Sequence, residues 1–278
     1  MRFDSTKPWA VWDIPGMKVA ADGIILVGII VGISMWAGGL NGEVPEDPEV
    51  NTYSVVAWDP ETGDLGVAVQ SKFFGVGSVV PWAEAGIGAI ATQSYANTTF
   101  GPEGLRLLKE GRTAREAMDM LIAEDDGRDR RQVAIIDSHG SVAVHTGEKC
   151  MDYAGHFDGQ HFSVQGNLLA SEKVIEGMKA AMEEKKQNIS LARRLVSALA
   201  AAEENGGDRR GRQSAAILVV RKNGGYGGFN DRFIDLRVED HEFPVRELDR
   251  LLGLHEKFYR SQHDNPPKRS AVPEQDTE

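Results

Sequence analysis

The chain has 278 residues, a formal net charge of −11 and one cysteine, Cys150. The acidity excludes nucleic acid as a natural partner: no basic patch is interleaved with aromatics, and the densest basic run, Arg209-Arg210-Gly211-Arg212, follows Asp208. A lone cysteine excludes an internal disulfide and a thiolate zinc cluster, and the histidines lack an HxxxH spacing, so no metal or other cofactor is expected.

After an N-terminal segment at 1–22, Gly23 to Gly42 carries no charge, and Ile24 to Ile33 is densely apolar. About 20 uncharged residues can cross a bilayer as a helix. Arg2, Lys7 and Lys18 precede this run, and the next basic residue is Lys72. That asymmetry predicts a single-pass membrane protein with its N-terminus inside and its domain outside, periplasmic or extracellular. A buried helix is the alternative, but the acidic, proline-containing spacer at 43–51 argues against it. The long stretch before the apolar centre, and the mediocre small-residue site Ala37-Gly38-Gly39, favour a signal-anchor over a cleaved signal peptide.

A domain is expected at 52–260. Alternating apolar residues predict a strand from Tyr53 to Trp58, a turn over Asp59-Pro60-Glu61-Thr62-Gly63, and a strand from Leu65 to Gln70. The small-residue run Gly88 to Ser94 reads as a strand closely covered by other backbone. Pro102 opens a short helix carrying Leu105 and Leu108. Thr113 and Glu116 form a capping box for the next. Arg131–Ile136 and Ser141–Thr146 make a hairpin around Asp137–Gly140, and His161–Gln165 is another strand. Ser171 and Ser190 are the expected caps of two helices, with stripes Val174, Ile175, Met178, Met182 and Leu191, Leu195, Val196, Leu199. Ser214–Val220 and Arg232–Val238 are strands around the turn Asn223–Gly228. No helix follows that turn, so it is not a phosphate loop. Pro244 starts a last helix, and the polar stretch 261–278, with three prolines, is expected to be disordered. Runs of strands and helices in blocks indicate an α+β fold. Two antiparallel sheets stacked face to face with helices outside each, a four-layer αββα sandwich, would bury every apolar stripe.

Thr52 opens the first strand. If the bond Asn51–Thr52 were cut, hydroxyl and α-amine would share one residue. An α-amine, with a reference pKa of about 7.7–8.0, is a base for its own hydroxyl near neutral pH. An ordinary β-branched residue entering a strand is the alternative.

The blocks Thr52–Gly63, Gly66–Phe74, Val79-Val80-Pro81-Trp82, Ala91–Asn97, Ser163–Leu169 and Gly207–Ser214 resemble a bacterial and archaeal family known as domain of unknown function 1028. The resemblance spans about Thr52 to Leu254. That family is similar to N-terminal-nucleophile (Ntn) hydrolases, which have the αββα sandwich inferred above. The resemblance implies Thr52 as nucleophile. Proteasome-type members carry D-S-R at the end of strand two, where this chain has Gln70-Ser71-Lys72; the aspartate is missing, so their charge network does not carry over intact. Many family members begin Met-Thr, whereas 51 residues precede Thr52 here. Activity would therefore require processing.

With that resemblance, Lys72 would hold the site electropositive and keep the amine neutral, or else is a surface lysine at a strand end. Gln93 and Asn167 would donate to the negative oxygen formed in acyl transfer, worth a factor of roughly 100–1,000, or else are structural buried amides. Asp208, Arg209 and Arg210, with Arg212, would grip a substrate carboxylate, or else form an exposed loop with a structural salt bridge. Cys150 is expected to be inert, and Asp137-Ser138-His139 to be turn chemistry rather than a triad.

The expected function is hydrolysis of a small amide or peptide-like substrate after autoprocessing at Asn51–Thr52. The alternative is a non-catalytic binding or scaffold module anchored to the membrane. The architecture also allows a homo-oligomer.

Overall fold

The computed structural model describes residues 49–50, 52–184 and 189–264. The predicted membrane span at 23–42, the segments on either side of it up to residue 48, and residues 265–278 of the predicted tail lie outside those residues. Among the described residues no helix is long and apolar enough to cross a membrane.

Among the described residues the protein has a mixed α+β fold with two antiparallel sheets and five α-helices. The strands are β1 (Glu49–Val50), β2 (Thr52–Trp58), β3 (Leu65–Ser71), β4 (Pro81–Glu84), β5 (Gly88–Tyr95), β6 (Arg131–Asp137), β7 (Val142–Thr146), β8 (Gly155–Gly159), β9 (Phe162–Gly166), β10 (Ser214–Val220) and β11 (Arg232–Val238). The helices are α1 (Phe100–Lys109), α2 (Ala114–Ala123), α3 (Lys173–Glu183), α4 (Leu191–Glu204) and α5 (Pro244–Asp264). One sheet runs β11-β10-β3-β2-β9-β8; the other runs β1-β5-β6-β7, with β4 also paired to β5.

The first hairpin sets the register of the larger sheet. Gly63, at φ 74°, takes the left-handed conformation that closes the turn, and its N–H bonds the Asp59 carbonyl at 2.8 Å. Thr52 then falls opposite Ser71, and Trp58 opposite Leu65. The period of two sends Tyr53, Val55 and Ala57 to one face of β2, where they pack with α3, α4 and α5 residues such as Met178, Leu195 and Leu248. Val56, on the other face, joins Val67, Val69, Leu218, Ala89, Ala91 and Ile136, a core shared by both sheets. The outer face of the smaller sheet (Ile90, Val133, Ile135) is covered by Leu107, Met118 and Leu121 of α1 and α2.

Several local expectations change. β4 was not foreseen: it opens with Pro81 and is only half buried, as an edge strand tolerates. β8 also escaped the pattern, because its half-buried and exposed positions alternate without an apolar run. Ser171 does not cap α3 with its side chain. The helix is entered through Glu172, already helical, and the Ser171 and Glu172 carbonyls accept from Val174 and Ile175 at 3.2 and 3.0 Å. Residues 261–264, predicted as disordered tail, continue α5. The capping box Thr113–Glu116 and the Ser190 cap form as expected.

Candidate functional site

Thr52 lies on the face of β2 that carries Ser54 and Val56, the face turned toward the smaller sheet, and it is fully buried. Its carbonyl accepts the backbone N–H of Asn167 at 3.0 Å and the Nε2 of Gln93 at 3.4 Å. Three residues spread over more than a hundred positions thus meet at one point, because β9 and β5 bring Asn167 and Gln93 to the head of β2.

Around that point runs a chain of buried, uncharged side chains. Ser163 Oγ donates to Gln165 Oε1 at 2.9 Å, and Gln165 Nε2 to Ser54 Oγ at 2.7 Å. Ser54 Oγ donates to Gln93 Oε1 at 2.5 Å, and Gln93 Nε2 to Gln132 Oε1 at 2.8 Å. Asn167 Nδ2 reaches the same Gln132 oxygen at 3.0 Å. Gln132 Nε2 is directed at the Gly166 carbonyl (2.9 Å), the Gly155 carbonyl (3.1 Å) and Thr146 Oγ1 (3.0 Å). The single carboxylate bonded to this chain among the described residues is Asp158, at Ser163, on its exposed far end. One atom is left over: Asn167 Oδ1 is buried with no hydrogen-bond partner.

The backbone beside the two amides that bond the Thr52 carbonyl region is unusual. Ser94, directly after Gln93, has φ 69°, and Leu168, directly after Asn167, has φ 52°. Both are non-glycine residues in the left-handed region, which costs about 1–3 kcal/mol each and persists only where the surroundings over-determine it.

Lys72 and the loop at 208–212 form a neighbouring group. Lys72 is exposed; its N–H bonds Asp208 Oδ2 at 3.1 Å, and its ammonium reaches the Arg212 carbonyl, 3.5 Å away. Asp208 is buried and accepts from the Arg210 backbone at 2.9 Å and the Arg210 guanidinium at 2.7 Å. Arg209 is exposed, and its N–H bonds the Leu168 carbonyl at 2.9 Å, which places it beside Asn167. Arg212 pairs with Glu203 at 3.1 Å and lies over the Phe243 ring. Burial, then the charges of Glu203 and Asp208, pushes the adjacent Tyr53 hydroxyl well above the usual phenol range despite Arg212.

The predicted residues therefore fall into two groups. Thr52, Gln93 and Asn167 come together in the interior, and Lys72, Asp208, Arg209 and Arg210 border them. Gln132, Ser54 and Gln165 were not singled out from sequence. Their signal was a neutral polar residue inside an apolar strand, as in Gln132 before Val133-Ala134-Ile135-Ile136. Cys150 is buried, which raises its pKa. Asp137 Oδ1 accepts from the N–H groups of His139 and Ser141, an ordinary turn. Among the described residues no cluster of His, Cys, Asp and Glu suits a metal ion.

A two-sheet α+β chain with a neutral amide cluster at the head of its first long strand is the class these features define. Its sequence matches the model of a family of unknown function (DUF1028) over residues 52–248, and the chain belongs to that family. It is similar to the crystal structure of protein SPO2555 from Silicibacter pomeroyi, assigned to the same family. The two share 31% identity over 74% of this chain and 86% of that one, with a TM-score of 0.67. The Anbu (ancestral beta-subunit) protein from Yersinia bercovieri is 12% identical over 76% of this chain and 97% of that one, with a TM-score of 0.33, too low to bear on the fold. No curated protein matches the chain.

Proposed function

We propose that the protein is an Ntn-type hydrolase of amide or peptide-like bonds, with Thr52 as the nucleophile once the bond Asn51–Thr52 is cut. The three cores, taken in order, describe helices, sheet, sheet and helices, the αββα layering of that class. One observation carries the proposal: Thr52 heads a strand on the face turned to a buried, uncharged amide cluster, and the residue after each of two of those amides is held in a strained backbone conformation.

In this mechanism the Thr52 hydroxyl attacks the substrate carbonyl while its own α-amine takes the proton. The proton passes to the leaving amine, an ester to Thr52 remains, and water hydrolyses it to restore the hydroxyl. Among the described residues the one carboxylate bonded to the cluster, Asp158, sits on Ser163 at its exposed far end and would not pin the α-amine as ammonium, so the amine stays available as a base. Asn167 Nδ2 keeps one hydrogen beyond its bond to Gln132, and that hydrogen can serve the negative oxygen of the tetrahedral intermediate. Arg209 beside Asn167 offers a cation for a substrate carboxylate, whereas Arg210 is occupied by Asp208. Cleavage would also part the domain from the anchor proposed at 23–42, so activation and release from the membrane would coincide.

The second reading is a non-catalytic module in which Thr52 is a plain strand residue; its complete burial favours that reading. Intact-mass measurement and N-terminal sequencing of the mature protein separate the two. A new terminus at Thr52, kept by Thr52→Ser and abolished by Thr52→Ala, supports the hydrolase. Active material with an uncut Asn51–Thr52 bond excludes it.

A further inference from the structure

We infer that Gln132 is a positioning residue that locks Asn167 with its carbonyl oxygen open, and that this oxygen is the acceptor for the freed α-amine of Thr52. The inference rests on the hydrolase reading above.

Gln132 can sit in one orientation only. Its Nε2 faces two carbonyl oxygens, Gly155 and Gly166, which cannot donate; turning the amide over would place oxygen against oxygen twice. Gln132 Oε1 must therefore face the other way, toward Gln93 and Asn167. That choice propagates. Gln93 presents nitrogen to Gln132 and so presents oxygen to Ser54, whose hydroxyl donates to it and accepts from Gln165. Asn167 presents Nδ2 to Gln132, so its Oδ1 must face away, and there it has no donor. A flip would bring Asn167 Oδ1 against Gln132 Oε1. The carbonyl orphan is thus a forced feature, fixed by two backbone carbonyls two steps away.

A buried carbonyl without a donor is unfavourable, and the rest of the cluster does not require it, since each of its other amide groups is bonded. Asn167 N–H already holds the Thr52 carbonyl at 3.0 Å, so the two residues are adjacent. Cutting the bond before Thr52 turns an amide nitrogen into an amine with two or three hydrogens, a new donor on the residue that Asn167 already bonds. Asn167 Oδ1 would then orient the amine lone pair toward the Thr52 hydroxyl.

The test uses the full-length chain after maturation, treated with a β-lactone that acylates N-terminal threonine, with the modified Thr52 peptide followed by mass spectrometry across pH. An acceptor for amine hydrogens favours the protonated amine, so its loss moves the inflection of the labelling profile down. Asn167→Leu and Gln132→Met are expected to lower that inflection by about half a unit. Asn167→Asp, which keeps an oxygen acceptor, is expected to hold or raise it. A merely structural role would move all three alike. Wild-type labelling with the same inflection in all three variants overturns the inference and leaves Thr52 as nucleophile. A wild-type chain with no terminus at Thr52 overturns the hydrolase reading and, with it, the acceptor role. In that case the side-chain amide NMR signals of Asn167 in intact Gln132→Met still report on the locking, and an unchanged pair of signals refutes that part too.

Discussion

At one end of β3 and β10, Asp64 meets Arg221; at the other, Ser71 lies between Ser214 and Thr52, the residue at the amide cluster. Asp64 is almost fully buried, yet both its oxygens take guanidinium N–H groups at 2.6 Å, and Arg221 also lies over the Phe233 ring. The bonds from Asp64 raise the pKa of that guanidinium further. Charge is present and every demand is met, which is how a polar group serves stability. The cluster at Thr52 holds no charge, sits beside strained backbone and leaves one oxygen unanswered. Under the hydrolase reading proposed above, the first arrangement serves stability and the second would serve chemistry.

The comparison breaks most cleanly at Thr52. Thr52→Ala is expected to reduce β-lactone labelling by on the order of 10⁴ or more while changing stability by less than about 1 kcal/mol, and Thr52→Ser to retain labelling. If Thr52→Ala instead unfolds the chain and labelling of the wild type falls elsewhere, the cluster is structural after all. At the opposite end the ranking reverses. Asp64→Ala strands a half-buried guanidinium and should cost about 2 kcal/mol in chemical denaturation, with the labelling rate of the folded protein unchanged.

A second satisfied pair sharpens the contrast through pH. Burial alone would raise the Asp125 carboxyl, but bonds from Arg131 and the Gly127 N–H outweigh it and hold the group below the usual range. A depressed folded value means that the contribution is complete above the unfolded value of about 3.9 and is lost as pH falls through the folded one. The stability gap between wild type and Asp125→Asn should accordingly be flat from pH 5 to 7, at about 1 kcal/mol, and close in more acidic solution. The smallest effect belongs to a helix cap: Thr113→Ala removes the capping box of α2 and should cost about 1 kcal/mol, visible in the thermal midpoint and nowhere else.

Much of the fold could be read before any coordinates. The apolar run from Tyr53 to Trp58 and the Asp59–Gly63 turn specify a hairpin, because the turn fixes the register and a slip of one residue would invert every side chain. Caps at Thr113 and Ser190 work locally and so were legible locally. β4 and β8 were hidden, since edge strands need no apolar run. For the site, sequence offered Thr52, Gln93 and Asn167 as separate candidates. What it withheld was Gln132, whose importance comes from bonding residues brought in by β5, β7, β8 and β9, a fact of pairing rather than of spacing. For Lys72 the sequence is silent on direction: the ammonium extends to the Arg212 carbonyl.

β1 offers a last consequence. Among the described residues it contributes only Glu49 and Val50 to the ladder, against Tyr95 and Ser94, while β2 is paired on both sides along most of its length. Two register pairs are far too few to retain a detached peptide in water. Should the link between these strands be severed, the two pairs of β1 alone would let go while β2 kept its place in the sheet, and maturation would behave as a ratchet. Its irreversibility would come from the unequal grip of two successive strands.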